Sequence, residues 1–285
     1  MVKTWILIIL LSISSTTFSQ SDFTIDPETS KAIPNYVGKV TLLKGSATKV
    51  KKNGDLADLA LGMKFYEGES VKTAKASLIK IEMVDDTELA LGPKSNFKFS
   101  QFKFKDKKDR KSVYEFISGQ LRAHVPIKAK PGDIKFNTRT SSLGIRGTIF
   151  LANFKQAKDG KAISETAVLE GEVVIRGAKG KSQEMLKSGE HFISIEKDNE
   201  QFEESIQTLD SDYYKSLLAA DADFAKNFLP FLDYYQVKNE ETGRGPSSIG
   251  VPEVENKESI NPRKSKNWRE ILKNLNHLLN GYSEK

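Results

Sequence analysis

From Val37 to Ile195 apolar side chains recur at every second position in short runs, separated by clusters of Gly, Asp, Asn and Lys. A period of two places successive side chains on opposite faces of an extended chain, so each run buries one face by pairing with neighbouring runs. The stretch therefore predicts antiparallel strands and hairpins. Ile79, Ile81 and Met83 fall on one side and Lys80 and Glu82 on the other. Asp85-Asp86 then supplies a tight turn, since Asp tolerates positive φ, and Leu89 and Leu91 alternate on the return strand. Phe97, Phe99, Phe102 and Phe104 carry the pattern into the charged residues 103–111, which read as a long solvated hairpin whose lysines guard an exposed edge.

Glycine phrases recur along this body. Gly38-Lys39-Val40, Gly119-Gln120-Leu121 and Gly171-Glu172-Val173 each enter a strand, while Leu61-Gly62 with Glu67-Gly68-Glu69 is echoed by Leu186, Ser188, Gly189 and Glu190. Glycines at strand entries predict a sheet that turns corners at fixed places, as an antiparallel β-sandwich or a β-solenoid-like wrap. Their spacing is too irregular for a strict solenoid period.

The N-terminus has the plan of a secretory signal peptide over residues 1–19: Lys3, the apolar run Trp5 to Leu11, then small and hydroxyl residues before Gln20. The alternative, an uncleaved anchor, has an apolar run of about half the roughly 20 residues a span requires. Cleavage predicts an exported chain, periplasmic or secreted, with no transmembrane span. Export also argues against nucleic acid as a partner, although aromatics interleaved with lysines at 97–111 could stack bases.

The chain has no cysteine, which excludes disulfides, thiolate metal sites and Cys nucleophiles. His124, His191 and His277 are too far apart in sequence for a local metal motif, and no Gly-x-Ser-x-Gly elbow occurs. A glycosidase needs two carboxylates facing across a cleft, whereas Asp85 and Asp86 are adjacent in a turn. The expectation is a protein that is not an enzyme and carries no cofactor or metal.

The net charge of +6 conceals a division: residues 38–195 carry 30 basic and 18 acidic side chains, and residues 196–240 carry 4 and 11. A basic body of this kind meets an acidic partner or docks its own acidic segment, and internal docking is the favoured reading.

Several phrases together resemble the FecR-type domain, a module on the periplasmic side best known from anti-sigma regulators of iron-uptake signalling. They are the opening Gly38-Lys39-Val40, the run from Gly62 through Gly68, Val71 and Thr73, and Asp85-Asp86-Thr87-Glu88-Leu89-Ala90-Leu91-Gly92. The most specific is Ile145-Arg146-Gly147-Thr148-Ile149-Phe150; Leu169-Glu170-Gly171-Glu172-Val173 and Gly189 to Ile195 complete the order. The family often has Gly where Asp86 stands and Pro where Arg139 stands. The resemblance spans residues 36–196 and implies the module and its address. Family regulators add a cytosolic sigma-binding segment and a membrane helix; the signal peptide points instead to a free-standing envelope version.

The motif residues Gly38, Gly68, Thr73, Arg146, Gly147, Thr148, Phe150, Gly171, Val173 and Gly189 read as structural. Strict alternation would put Arg146 on one face with Thr148, Phe150 and Ala152, where a guanidinium persists when paired. Arg146 is therefore expected to be a structural clamp that bridges loop carbonyls or pairs with a carboxylate; the competing reading is an anion-binding group for a glycan or a peptide carboxylate.

Beyond the body, residues 207–236 predict an amphipathic helical extension in which Tyr213, Tyr214, Leu217, Leu218, Phe224, Phe228 and Leu229 recur near helical spacing until Pro230. This stripe is expected to pack on the β body. Residues 239–264 read as a flexible linker, and residues 265–280 as a helix whose Trp268, Ile271, Leu272, Leu275, Leu278 and Leu279 form one apolar face. That face can fold back on the body, enter a partner's groove or lie on a membrane surface. The reading as a whole is a non-enzymatic binding or signalling module for an envelope protein or a peptidoglycan or other polysaccharide, with a structural scaffold tethered through the last helix as the alternative.

Overall fold

A computed structural model describes residues 22–28, 30–106, 109–126, 130, 132–156, 161–177, 183–197 and 201–211. The chain divides into two units, Met1–Asn35 and Tyr36–Lys285. In the first, strands β1 (Phe23–Ile25) and β2 (Ala32–Pro34) pair antiparallel, with Thr24 opposite Ile33.

In the second unit, the first half of the strands comprises β3 (Gly38–Lys44), β4 (Ala47–Val50), β5 (Leu56–Asp58), β6 (Lys64–Phe65), β7 (Ser70–Thr73), β8 (Leu78–Met83), β9 (Glu88–Leu91) and β10 (Asn96–Phe104). The long β11 (Arg110–Val125) follows, then β12 (Ile134–Asn137), β13 (Ser141–Ile145), β14 (Thr148–Gln156), β15 (Ala162–Glu170), β16 (Glu172–Gly177), β17 (Gln183–Lys187), β18 (Glu190–Glu196) and β19 (Phe202–Thr208). These form one curled sheet of 17 strands among the described residues, antiparallel apart from the β11–β12 pairing.

Hydrogen bonding resolves the sheet into two ladders. The first runs β6-β3-β8-β9-β11-β14-β15-β18-β19. The second runs β5-β4-β7-β10-β11-β12-β13-β16-β17. Only β11 belongs to both: residues 112–115 pair with β12 and residues 119–125 with β14. From β12 onward the chain alternates hairpins, β12–β13 and β16–β17 on the second ladder, β14–β15 and β18–β19 on the first.

The ladders meet through one apolar core. Phe65 of the first ladder lies 4.9 Å, centroid to centroid, from Phe99 of the second, and Phe136 of the second lies 5.1 Å from Phe150 of the first. Tyr114 and Phe97 link these pairs into a continuous aromatic row. Tilted and edge-on contacts of this kind add to the area burial of each ring.

Residues with positive φ mark the points where the chain changes ladder: Gly45, Gly62, Gly68, Lys94, Gly119, Gly147, Gly171 and Gly189. Three of them, Gly45, Gly119 and Gly171, also require a missing side chain. A Cβ on Gly119 would lie 2.3 Å from the Ser95 Cα, and one on Gly171 would lie 2.3 Å from the Gly147 carbonyl oxygen. At these corners backbone passes against backbone, which only glycine permits.

The expected hairpin at Asp85-Asp86 is present, with Ile81 opposite Leu89 and Asp86 at φ 63°. The sheet also extends past Glu196 through β19, so Gln207 and Thr208 close a strand rather than open a helix. The signal peptide at 1–19, the remainder of the expected helical extension, the linker at 239–264 and the helix at 265–280 with Trp268, Ile271, Leu272, Leu275, Leu278 and Leu279 lie outside the described residues.

Candidate functional site

The Arg-Gly-Thr run is the corner between β13 of the second ladder and β14 of the first, and the alternation expected across it breaks there. Ile145 closes one strand facing the core, Gly147 turns at φ 65°, and Thr148 and Phe150 start the next strand facing the core again. The Thr148 hydroxyl donates to the Glu172 carbonyl at 2.9 Å, so this corner and the Gly171 corner from β15 to β16 are tied together. Val173 follows, fully buried.

Arg146 is displaced by this geometry. It sits on the bend and is exposed, not clamped within the sheet. The expected clamp is therefore corrected. A two-residue bend removes Arg146 from the strand phase on which that reading rested.

Buried cation–carboxylate pairs do exist, elsewhere. Arg110, at the start of β11, donates from Nη1 to the Asp85 Oδ2 at 2.8 Å and to the Asp85 carbonyl at 3.2 Å. Both side chains are essentially inaccessible, at 1% and 0% exposure. Asp85 Oδ1 also accepts from the Thr87 amide at 3.1 Å, which fixes the β8–β9 turn. Beside the pair, burial raises the Tyr114 hydroxyl far above its ordinary pKa, and the Asp85 charge adds to the effect. Tyr114 stays neutral. Asp86, next in the turn, is exposed, so the two carboxylates serve separate environments.

The second pair joins Lys49 of β4 to Glu69 at 2.6 Å. Lys49 Nζ donates to the Lys64 carbonyl at 2.7 Å and lies 5.1 Å from the Tyr66 ring centroid, while Glu69 accepts from the Tyr66 amide at 2.8 Å. This is the Gly62–Thr73 phrase folded on itself, with Gly68 at φ 87° and its amide donating to the Phe99 carbonyl. At its end the Thr73 hydroxyl donates to the Gly92 carbonyl at 2.6 Å and accepts from the Ser95 amide at 2.8 Å. Gly38 admits the Glu82 carbonyl, which a Cβ would meet at 2.8 Å, and Gly189 turns at φ 83° in open space.

Apart from Gly38 and Gly189, the motif residues thus fall into three places: the turn around Gly68 and Thr73, the paired corners at Gly147-Thr148 and Gly171-Val173, and the exposed cation Arg146 between fixed neighbours. Sequence reading missed the Asp85–Arg110 pair because Arg110 stands in the lysine-rich hairpin. One signal was available: Arg110, Ser112, Tyr114 and Phe116 share a phase of two and are all buried. Of the described histidines, His124 is half-buried, and His191 is buried, which lowers its pKa to about 3 by desolvation. Among the described residues no group of three His, Asp or Glu is placed to hold a metal ion.

The family model FecR protein matches residues 69–174, from the Glu69 turn to β16. No curated protein matches the chain. Two crystal structures from Parabacteroides distasonis ATCC 8503, each of a "putative anti-sigma factor", are similar at 15% and 13% identity. They cover 52% and 61% of this chain and 63% and 74% of theirs, with TM-scores of 0.40 and 0.41. The chain thus spans just under two thirds of the first of them. A "cell surface anchoring domain" is 35% identical over 22% of this chain and 82% of its own, at a TM-score of 0.21. The turn from Glu69 onward, the corners and the strands between them lie in the part of the molecule that the FecR protein model matches, residues 69–174.

Proposed function

We propose that the chain is a non-enzymatic binding or signalling module of the periplasm that recognises an envelope protein or a cell-wall polymer. The match to the FecR protein model supports a signalling-related module, and FecR family members are periplasmic-side domains. No helix among the described residues is long and apolar enough to cross a membrane. The route to the periplasm in this reading is the signal peptide expected at residues 1–19.

The observation that carries the binding reading is the exposure of Arg146. Its neighbours are fixed by the buried Ile145, the turn at Gly147 and the Thr148 hydrogen bond. A guanidinium on a pre-ordered corner loses little freedom on binding and presents a fork that matches a carboxylate. Peptide carboxylates and acidic glycans are the ligands of that chemistry.

The test is capture from envelope extract and, separately, on purified cell-wall sacculi, with wild-type protein and with Arg146→Ala. The substitution should leave the melting temperature within about 1 °C, because a surface residue outside a network contributes under about 0.5 kcal/mol. It should abolish capture of the ligand. Equal capture by both proteins would remove the basis of this reading.

A further inference from the structure

Strands β14, β15 and β18 are buried on both faces. Their core-facing side chains, such as Phe150, Val168 and Phe192, belong to the central core. The alternate set points away from it: Leu151, Ile163, Ala167, Leu169, Ile193 and Ile195 are each 0–6% exposed, although none belongs to that core. Register places them side by side, with Leu151 opposite Ala167 and Ile163 opposite Ile195. Polar groups among them are equally covered, including Asn153, which donates to Glu165 at 2.8 Å, and His191.

This burial is local. On the same side of the same ladder Lys39 and Glu82 are about half exposed, and on the outer side of the other ladder Met185 is 52% exposed. The second ladder packs on the opposite side, through the central core, so the strands of the two ladders do not supply this cover.

We propose that the cover is the chain's own segment 212–236, laid across β14, β15 and β18. The chain is delivered to the right place: the Leu209 amide donates to the Gly189 carbonyl at 2.7 Å, beside the end of β18 that carries His191. The segment starts three residues later. It holds Tyr213, Tyr214, Leu217, Leu218, Phe224 and Phe228 at helical spacing, which supplies one apolar side. As a helix, residues 212–229 are about 27 Å long, enough to cross three strands at about 4.8 Å each. Charge agrees as well: the face is flanked by Arg122 and Lys155, and the segment carries Asp212, Asp221, Asp223 and Asp233 against Lys215 and Lys226.

The cysteine-free chain makes the test direct. Ala167→Cys places one thiol in the centre of the face of the full-length protein, and its reaction with a maleimide reports cover. The expected result is labelling at least 100-fold slower than for Ser142→Cys on the other ladder. Adding Phe224→Ala and Phe228→Ala should raise the labelling rate at least tenfold and open Lys215 and Lys226 to trypsin, with the circular dichroism of the sheet unchanged. A thiol that labels freely in the A167C protein overturns the proposal, because the face is then open. A thiol that stays protected after the Phe substitutions assigns the cover to another part of the chain or to a partner and overturns it too. Protection that falls on tenfold dilution assigns it to a second copy, with the same consequence.

Discussion

The Asp85–Arg110 pair shows how strongly one contact binds two distant turns. It joins the β8–β9 turn to the turn end of the β10–β11 hairpin, 25 residues apart, with neither charge in water. Taking away one partner strands the other charge in the core, so Arg110→Ala or Asp85→Ala should cost about 3–5 kcal/mol in urea denaturation. The double replacement Asp85→Leu with Arg110→Met should cost less than either single change, because no unpaired charge remains. Glycines differ just as clearly. Gly171→Ala meets both a positive φ and the Gly147 carbonyl, while Gly189→Ala meets only the φ. The first should lose over about 2 kcal/mol and the second about 1 kcal/mol, measured by the same denaturation series.

Among the elements, β8 and β9 were fully legible from alternation and one Asp-Asp turn. β15 was not, because eight of its nine residues are buried and no alternation survives when both faces are covered. β19 was hidden for the opposite reason: Phe202, Ile206 and the polar residues between them make an edge strand, half-exposed throughout, with the composition of a loop. β18 carries the pH response. Burial lowers the His191 pKa to about 3, below the 6.5 it has when unfolded, so the native state resists a proton that the unfolded chain takes up. Stability is therefore complete above about pH 6.5 and falls as pH drops toward 3. At pH 4.5 the His191 contribution amounts to a loss of about 3 kcal/mol, and His191→Gln should flatten the slope of stability between pH 7 and pH 4.5.

For the molecule as a whole, the sequence carried the class and the landmarks, antiparallel β with glycine corners and a FecR-type order of phrases. What it could not carry was the destination of each strand, since period two tells which face is buried but not which ladder a hairpin joins. That is why Arg146 was placed within a strand: the corner is invisible until β13 and β14 are seen on different ladders. One core joins both ladders, so amides at the centres of β8 and β14 on the first and β13 on the second should exchange hydrogen together, at the rate of global unfolding. Separate exchange of the two ladders would show that they unfold independently.

The alternation of hairpins after β11 has a further consequence. β12 to β15 and β16 to β19 are two copies of one step, a hairpin laid on the second ladder followed by a hairpin laid on the first. Among the described residues each step pairs its strands with those just before it and leaves the same pair of edges behind. A chain built this way can grow or shrink by a whole step, as a knitted row is added or unpicked, without re-registering anything upstream of β11.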